Sequence, residues 1–110
     1  MDNQEVQITL DLNEILRVVN NAVFNSQGKY LTDVQEKLLI GALNGLTYEE
    51  IAQAHGYSYG HISRNVGCKL WKILSEALGE TVQKNNLVEP LRKALENSQV
   101  KRIEIEHEST

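Results

Sequence analysis

The sequence contains one cysteine, Cys68, which rules out an internal disulfide framework and suits a reducing cytosol. Aromatic residues make up only 5% of it. No apolar run approaches the roughly 20 residues that a membrane span requires. The opening MDNQEVQITLDL has neither a basic region nor an apolar one, so it does not read as a secretory signal. A Gly-rich phosphate loop is missing. His55, His61 and His107 lack metal-ligand spacing, and no second cysteine accompanies them. Cys68 and His61 have no orienting acid, which argues against nucleophilic catalysis. Together these absences lead us to expect a cytoplasmic, non-enzymatic module with no cofactor, no metal and no membrane partner. A basic excess is missing too. The formal net charge is −4, which counts against a generic polyanion binder.

The chain has 110 residues, of which 41% are apolar, and this predicts one domain around one core. Its charge is unevenly placed. Residues 1–57 carry three basic and eight acidic side chains, and residues 94–110 carry two and four. Residues 58–93 reverse the balance, with six basic side chains (Arg64, Lys69, Lys72, Lys84, Arg92, Lys93) against three acidic ones. Local potential, rather than net charge, steers an anionic ligand. The alternative is that these cations simply solvate helix faces.

Hydrophobic periodicity predicts an all-α domain over 12–97, a small bundle of about five helices in a winged-helix-like arrangement. Strand-like segments flank it at 1–11 and 98–110. In the first, Val6, Ile8 and Leu10 alternate; in the second, Ile103 and Ile105 do so. Asp11 with Glu14 reads as a capping box, followed by a helix from about Leu12 to Asn25 whose outer face includes Asn20. Thr32 caps a second helix that is apolar nearly all round and ends at Asn44-Gly45. Thr47 with Glu50 caps a short third helix, Tyr48 to His55, with Ile51 and Ala52 inward and His55 on the same side. Gly56 supplies the C-terminal turn and Ser58 caps a helix that runs to about Leu78. At 100° per residue, Ile62, Val66, Leu70, Ile73 and Ala77 form one stripe of that helix, and Gly67, Trp71, Leu74 and Leu78 form a second. Asn85 or Asn86 caps a last helix, with Pro90 in its first turn and Leu87, Leu91, Ala94 and Leu95 on its apolar side.

The stretch LTYEEIAQAHGYSYGHISRNVGCKLWKIL, Leu46 to Leu74, is the outline of a helix-turn-helix. Ala52 is its small inner residue, and Gly56-Tyr57-Ser58 is its turn. Such a motif lays its second helix, here about 59–78, in the DNA major groove. Ser58 can offer its hydroxyl and the helix N-terminal N–H groups to a phosphate. Tyr59, His61, Ser63, Arg64 and Asn65 occupy the first exposed turns. Arg64 matches guanine and Asn65 matches adenine, each bidentately, while His61 and Ser63 are less selective donors. Lys69 and Lys72, further along, suit phosphates.

On these residues the chain resembles known families. Leu31-Thr32, Gly45-Leu46-Thr47, Glu50-Ile51-Ala52, Ser58 and Ile62 resemble the frame of the LuxR-type and sigma-factor region 4 class of helix-turn-helix. A longer similarity, from about Leu12 to Leu95, is to the N-terminal helix-turn-helix domain of bacterial NB-ARC signalling ATPases and of von Willebrand A–MoxR-associated proteins. It is carried by LTDVQ, TYEEIA, the GYS turn, NVGCKLW, LSEALGE and a short last helix. Tyr59 departs from the LuxR-type pattern, where an acidic residue is usual. The first resemblance implies a sequence-specific transcriptional regulator on double-stranded DNA. The strand-like ends lie outside the resemblance; they could pair within one chain or across a homodimer, whose interface they or the last helix would supply. The second implies, as the alternative, an adaptor or protein-interaction module of a bacterial signalling system that keeps the fold without binding DNA.

Overall fold

Five helices follow one another in residues 12–97, the part of the chain that the computed structural model describes. They are α1 (Leu12–Gln27), α2 (Asp33–Leu43), α3 (Tyr48–His55), α4 (59–78) and α5 (88–97). The all-α expectation is met. Asp11 and the strand-like segments expected at 1–11 and 98–110 lie outside the described residues. No strand occurs among the described ones, so the winged-helix-like expectation finds no β wing there. The place after α4 is taken by a 3₁₀ turn, Lys84–Asn86.

Local chemistry sets the helix starts. Thr32 and Thr47 each accept the N–H three residues on, and the side chains of Gln35 and Glu50 reach back to the cap N–H groups. Gly56 ends α3 at φ +77°, a left-handed conformation that costs glycine no Cβ strain. Its neighbour Tyr57 then packs half-buried against the core.

Packing sets the rest. α1 lies along the C-terminal half of α4, while α2 and α3 pack at its N-terminal half. Ile15, Val19 and Val23 of α1, Leu38 and Leu39 of α2 and Ile51 of α3 are buried, as are Leu87, Leu91 and Leu95 around α5. His55, expected on the inward side of α3, is exposed instead, because it stands in the last turn where the helix ends before Gly56. α2 meets α3 at Gly41, where a Cβ would stand 2.6 Å from Ile51 Cγ1. Asn20, expected on the outer face of α1, is half-buried instead. Its Oδ1 accepts the Leu31 N–H at 2.9 Å and its Nδ2 donates to Glu36 at 2.9 Å. One amide thus ties α1 to the start of α2, and the helical period alone does not show it.

The largest departure lies in α4. Its backbone widens to a π-helix over His61–Val66, with the Gly67 N–H donating to the Ile62 carbonyl. The buried row is Ile62, Val66, Leu70 and Leu74, one residue in every four. In a straight α-helix residues 12 apart drift about 120° round the axis, so that row would leave the core. The wider turn takes up part of the drift and keeps Ile62 facing inward. The expected stripe members Ile73 and Ala77 are consequently only half-buried. Gly67 makes room for the widened turn. A Cβ there would meet the Ile62 carbonyl oxygen at 3.1 Å and Tyr48 Cε1 at 3.3 Å. With helices on several sides, α4 is the central strut of the domain.

Candidate nucleic-acid interface

α4 begins at Ser58, whose Oγ accepts the His61 N–H at 3.1 Å. The first α-helical bond follows, from the Ile62 N–H to the Ser58 carbonyl at 3.1 Å. Because the serine oxygen is the acceptor, its own O–H remains a donor. The N–H groups of Tyr59 and Gly60 in the same turn have no carbonyl one turn earlier in the helix. The N-terminus of α4 therefore presents donors to solvent.

Beyond it the exposed face carries two neighbouring rows at four-residue spacing. One is Arg64, Cys68 and Lys72, and the other is His61, Asn65 and Lys69. All are exposed except His61, which is half-buried. Arg64, Lys69 and Lys72 have no carboxylate within 4.0 Å among the described residues. The other basic residues of 58–93 are engaged. Arg92 pairs with Glu89 and Glu96, and Lys93 pairs with Glu80. The bonded Glu89 carboxylate pushes the Arg92 guanidinium further up from its ordinary pKa. Lys84 lies with Nζ 5.5 Å from the centre of the Tyr48 ring. The cations free of carboxylates therefore concentrate on α4 and beside it.

The remaining sequence-derived positions are more constrained than their spacing suggests. The Asn65 amide nitrogen is 3.4 Å from His61 Nδ1, and the His61 ring lies 5.5 Å from that of Tyr57. His61 thus lies between the turn and Asn65. Asn65 keeps Oδ1 and its second N–H, the pair that adenine requires. Tyr59 is 56% exposed, with its ring edge-on to Tyr48 at 6.4 Å. Ser63 is half-buried and turned away from the outermost face. Ser58, Arg64, Asn65, Lys69 and Lys72 thus share one open surface. His61 supports that surface from below, and Tyr59 and Ser63 sit at its flank.

Sequence reasoning missed Tyr48 and Lys84. The Tyr48 hydroxyl accepts the Trp71 indole N–H at 2.9 Å and its ring lies beneath Lys84. These residues are 23 and 36 positions apart from Tyr48 respectively, and no local period links them. Among the described residues no three His, Cys, Asp or Glu side chains gather in a way that could hold a metal ion. No described helix is long and apolar enough to cross a membrane.

Comparison with protein families returns one described as the vWA-MoxR associated protein N-terminal HTH, matched by residues 10–94. Comparison with curated proteins and with solved structures returns no match. The family match spans most of the chain, and the chain belongs to this family of N-terminal helix-turn-helix domains.

Proposed function

From that membership and the open face of α4, we propose that the protein is a sequence-specific DNA-binding regulator that reads double-stranded DNA with α4. One observation carries the reading. Arg64, Lys69 and Lys72 stand exposed on one helix face with no carboxylate partner among the described residues, in a chain that is acidic as a whole. The major groove is about 12 Å wide and admits one α-helix. With the first turns of α4 in it, Arg64 addresses guanine O6 and N7 and Asn65 addresses adenine N6 and N7. His61 lies beside Asn65. Ser58 and the free N–H groups beside it take one phosphate, and Lys69 and Lys72 take others. Tyr59 and Ser63 contact the sugar edge at the flank. Two copies in a homodimer, assembled through α5 or the terminal segments, would read half-sites roughly 34–36 Å apart. The setting is cytoplasmic, and the module is non-catalytic.

Duplexes selected from random DNA, retested with Arg64→Ala, provide the check. The substitution is expected to weaken binding by about 1–3 kcal/mol and to relax preference at one base pair. Failure of the unaltered chain to retard any duplex at low salt would sink the reading.

A specific observation favours a second reading, a protein-interaction module. Glu49 and Glu50 lie exposed in the first turn of α3, the helix that crosses the DNA backbone in such motifs. Their charge opposes a phosphate there, and an acidic protein surface would also suit the α4 cations. This reading expects no retention of duplex DNA by the α4 face, together with a protein partner whose binding Arg64→Ala weakens.

A further inference from the structure

The turn that follows α4 holds one cation in a fixed place. Ser75 Oγ accepts the Val82 N–H at 2.8 Å, and Val82 is buried, so the segment is pinned to α4. Asn86 closes the turn. Its Oδ1 accepts the Gln83 N–H at 2.7 Å, and its Nδ2 donates to the Thr81 carbonyl at 3.3 Å. Leu87, buried, anchors the far end. Lys84 is thereby presented over the Tyr48 ring, and Tyr48 is itself fixed by the Trp71 indole. Lys84 has no carboxylate within 4.0 Å among the described residues. Between the turn and α4 lies an open cleft of about 470 Å³, lined among others by Trp71, Lys72, Ser75, Lys84 and Asn85. A second cleft adjoins it past Tyr48, bounded by Tyr59, Lys84 and, at the start of α3, Glu49.

We propose that the cleft between Lys72 and Lys84 receives a backbone phosphate of the duplex, so that the turn after α4 is a second clamp on the DNA. The proposal rests on the DNA reading above and extends it to residues outside the helix-turn-helix. Charge complementarity is the first support, since two lysines with no carboxylate partner among the described residues border one cleft. Continuity is the second, because Lys72 belongs both to the open face of α4 and to the lining of this cleft. Position is the third. The adjoining cleft reaches the first turn of α3, where the first helix of such a motif meets the backbone. A lysine already ordered against a ring also loses less side-chain freedom on binding. Glu49 opposes an anion at its own end, which places the phosphate at the Lys72 end. Contact with a phosphate carries no base information, so Lys84 adds affinity without sequence preference.

The test is a salt series with the unaltered chain, Lys84→Gln, Lys84→Arg and Lys93→Gln. Each is titrated on a selected duplex and on a scrambled one. Lys84→Gln is expected to weaken both duplexes by the same factor, about three- to tenfold, and to reduce the salt slope by about one. Lys84→Arg should restore the slope. Lys93→Gln should change neither quantity, because Lys93 is paired with Glu80 away from the cleft. Emission from Trp71, the single tryptophan, should change when duplex is added to the unaltered chain. An unchanged affinity and slope for Lys84→Gln would overturn the clamp and leave the α4 reading standing. Absence of duplex binding by the unaltered chain would overturn both.

Discussion

Replacing Arg64, Lys69 and Lys72 together with glutamine is expected to abolish duplex binding at physiological salt and to leave thermal unfolding unchanged. Each phosphate contact contributes about 0.9 to the slope of log K against log salt, so losing two or three should cost roughly a hundredfold or more. The three side chains are exposed and hold no ion pair among the described residues, so folding loses little with them. A matched variant separates local from net charge. Neutralising Lys29, Lys37 and Lys93 removes the same formal charge from other surfaces and is expected to keep binding within a few-fold. Electrophoretic retardation at two salt concentrations reads both variants. Equal losses in the two would show that only net charge matters and that α4 is not the contact.

Leu70→Ala is expected to cost about 3–5 kcal/mol of stability, read from the denaturant midpoint. Leu70 is 0% exposed and sits mid-row between Val66 and Leu74 on the central strut. Helices pack on several sides of α4, so the walls of the new cavity cannot easily collapse. Leu70→Met conserves volume and should cost less than about 1.5 kcal/mol. Stability of a single domain is typically ~5–15 kcal/mol, so the alanine variant takes a large share of it. A cost below about 1 kcal/mol would mean that α4 is not the strut described.

Much of this was legible in the sequence because much of it is local. The capping residues Thr32 and Thr47 and the turn at Gly56 act over three or four residues, and they fix helix starts and stops without help from the core. The apolar positions of α1 and α5 follow from a single period. What was not legible depends on contacts between distant segments. The π-helical turn over His61–Val66 arises because α4 must keep Ile62 and Leu74 in one core, with Gly67 close against Tyr48. Asn20 bonds Leu31 and Glu36, and Lys84 lies over Tyr48, through pairings that no sequence spacing signals. The candidate face shows the same division. Its cations, the three- and four-residue spacings that pair Arg92 with Glu89 and Glu96, and the spacing that sets His61 beside Asn65 are all local, whereas the engagement of Lys93 by Glu80 required the fold.

Cys68 gives direct access to the central claim. It is the single cysteine, it is exposed, and it lies between Arg64 and Lys72 on the α4 face. The measurement is the rate of its alkylation by iodoacetamide, with and without a saturating selected duplex at low salt. If α4 lies in the major groove, the duplex covers the thiol and the rate falls by about tenfold or more. If Cys68 reacts as fast with the duplex as without it, the open face of α4 is not where DNA binds.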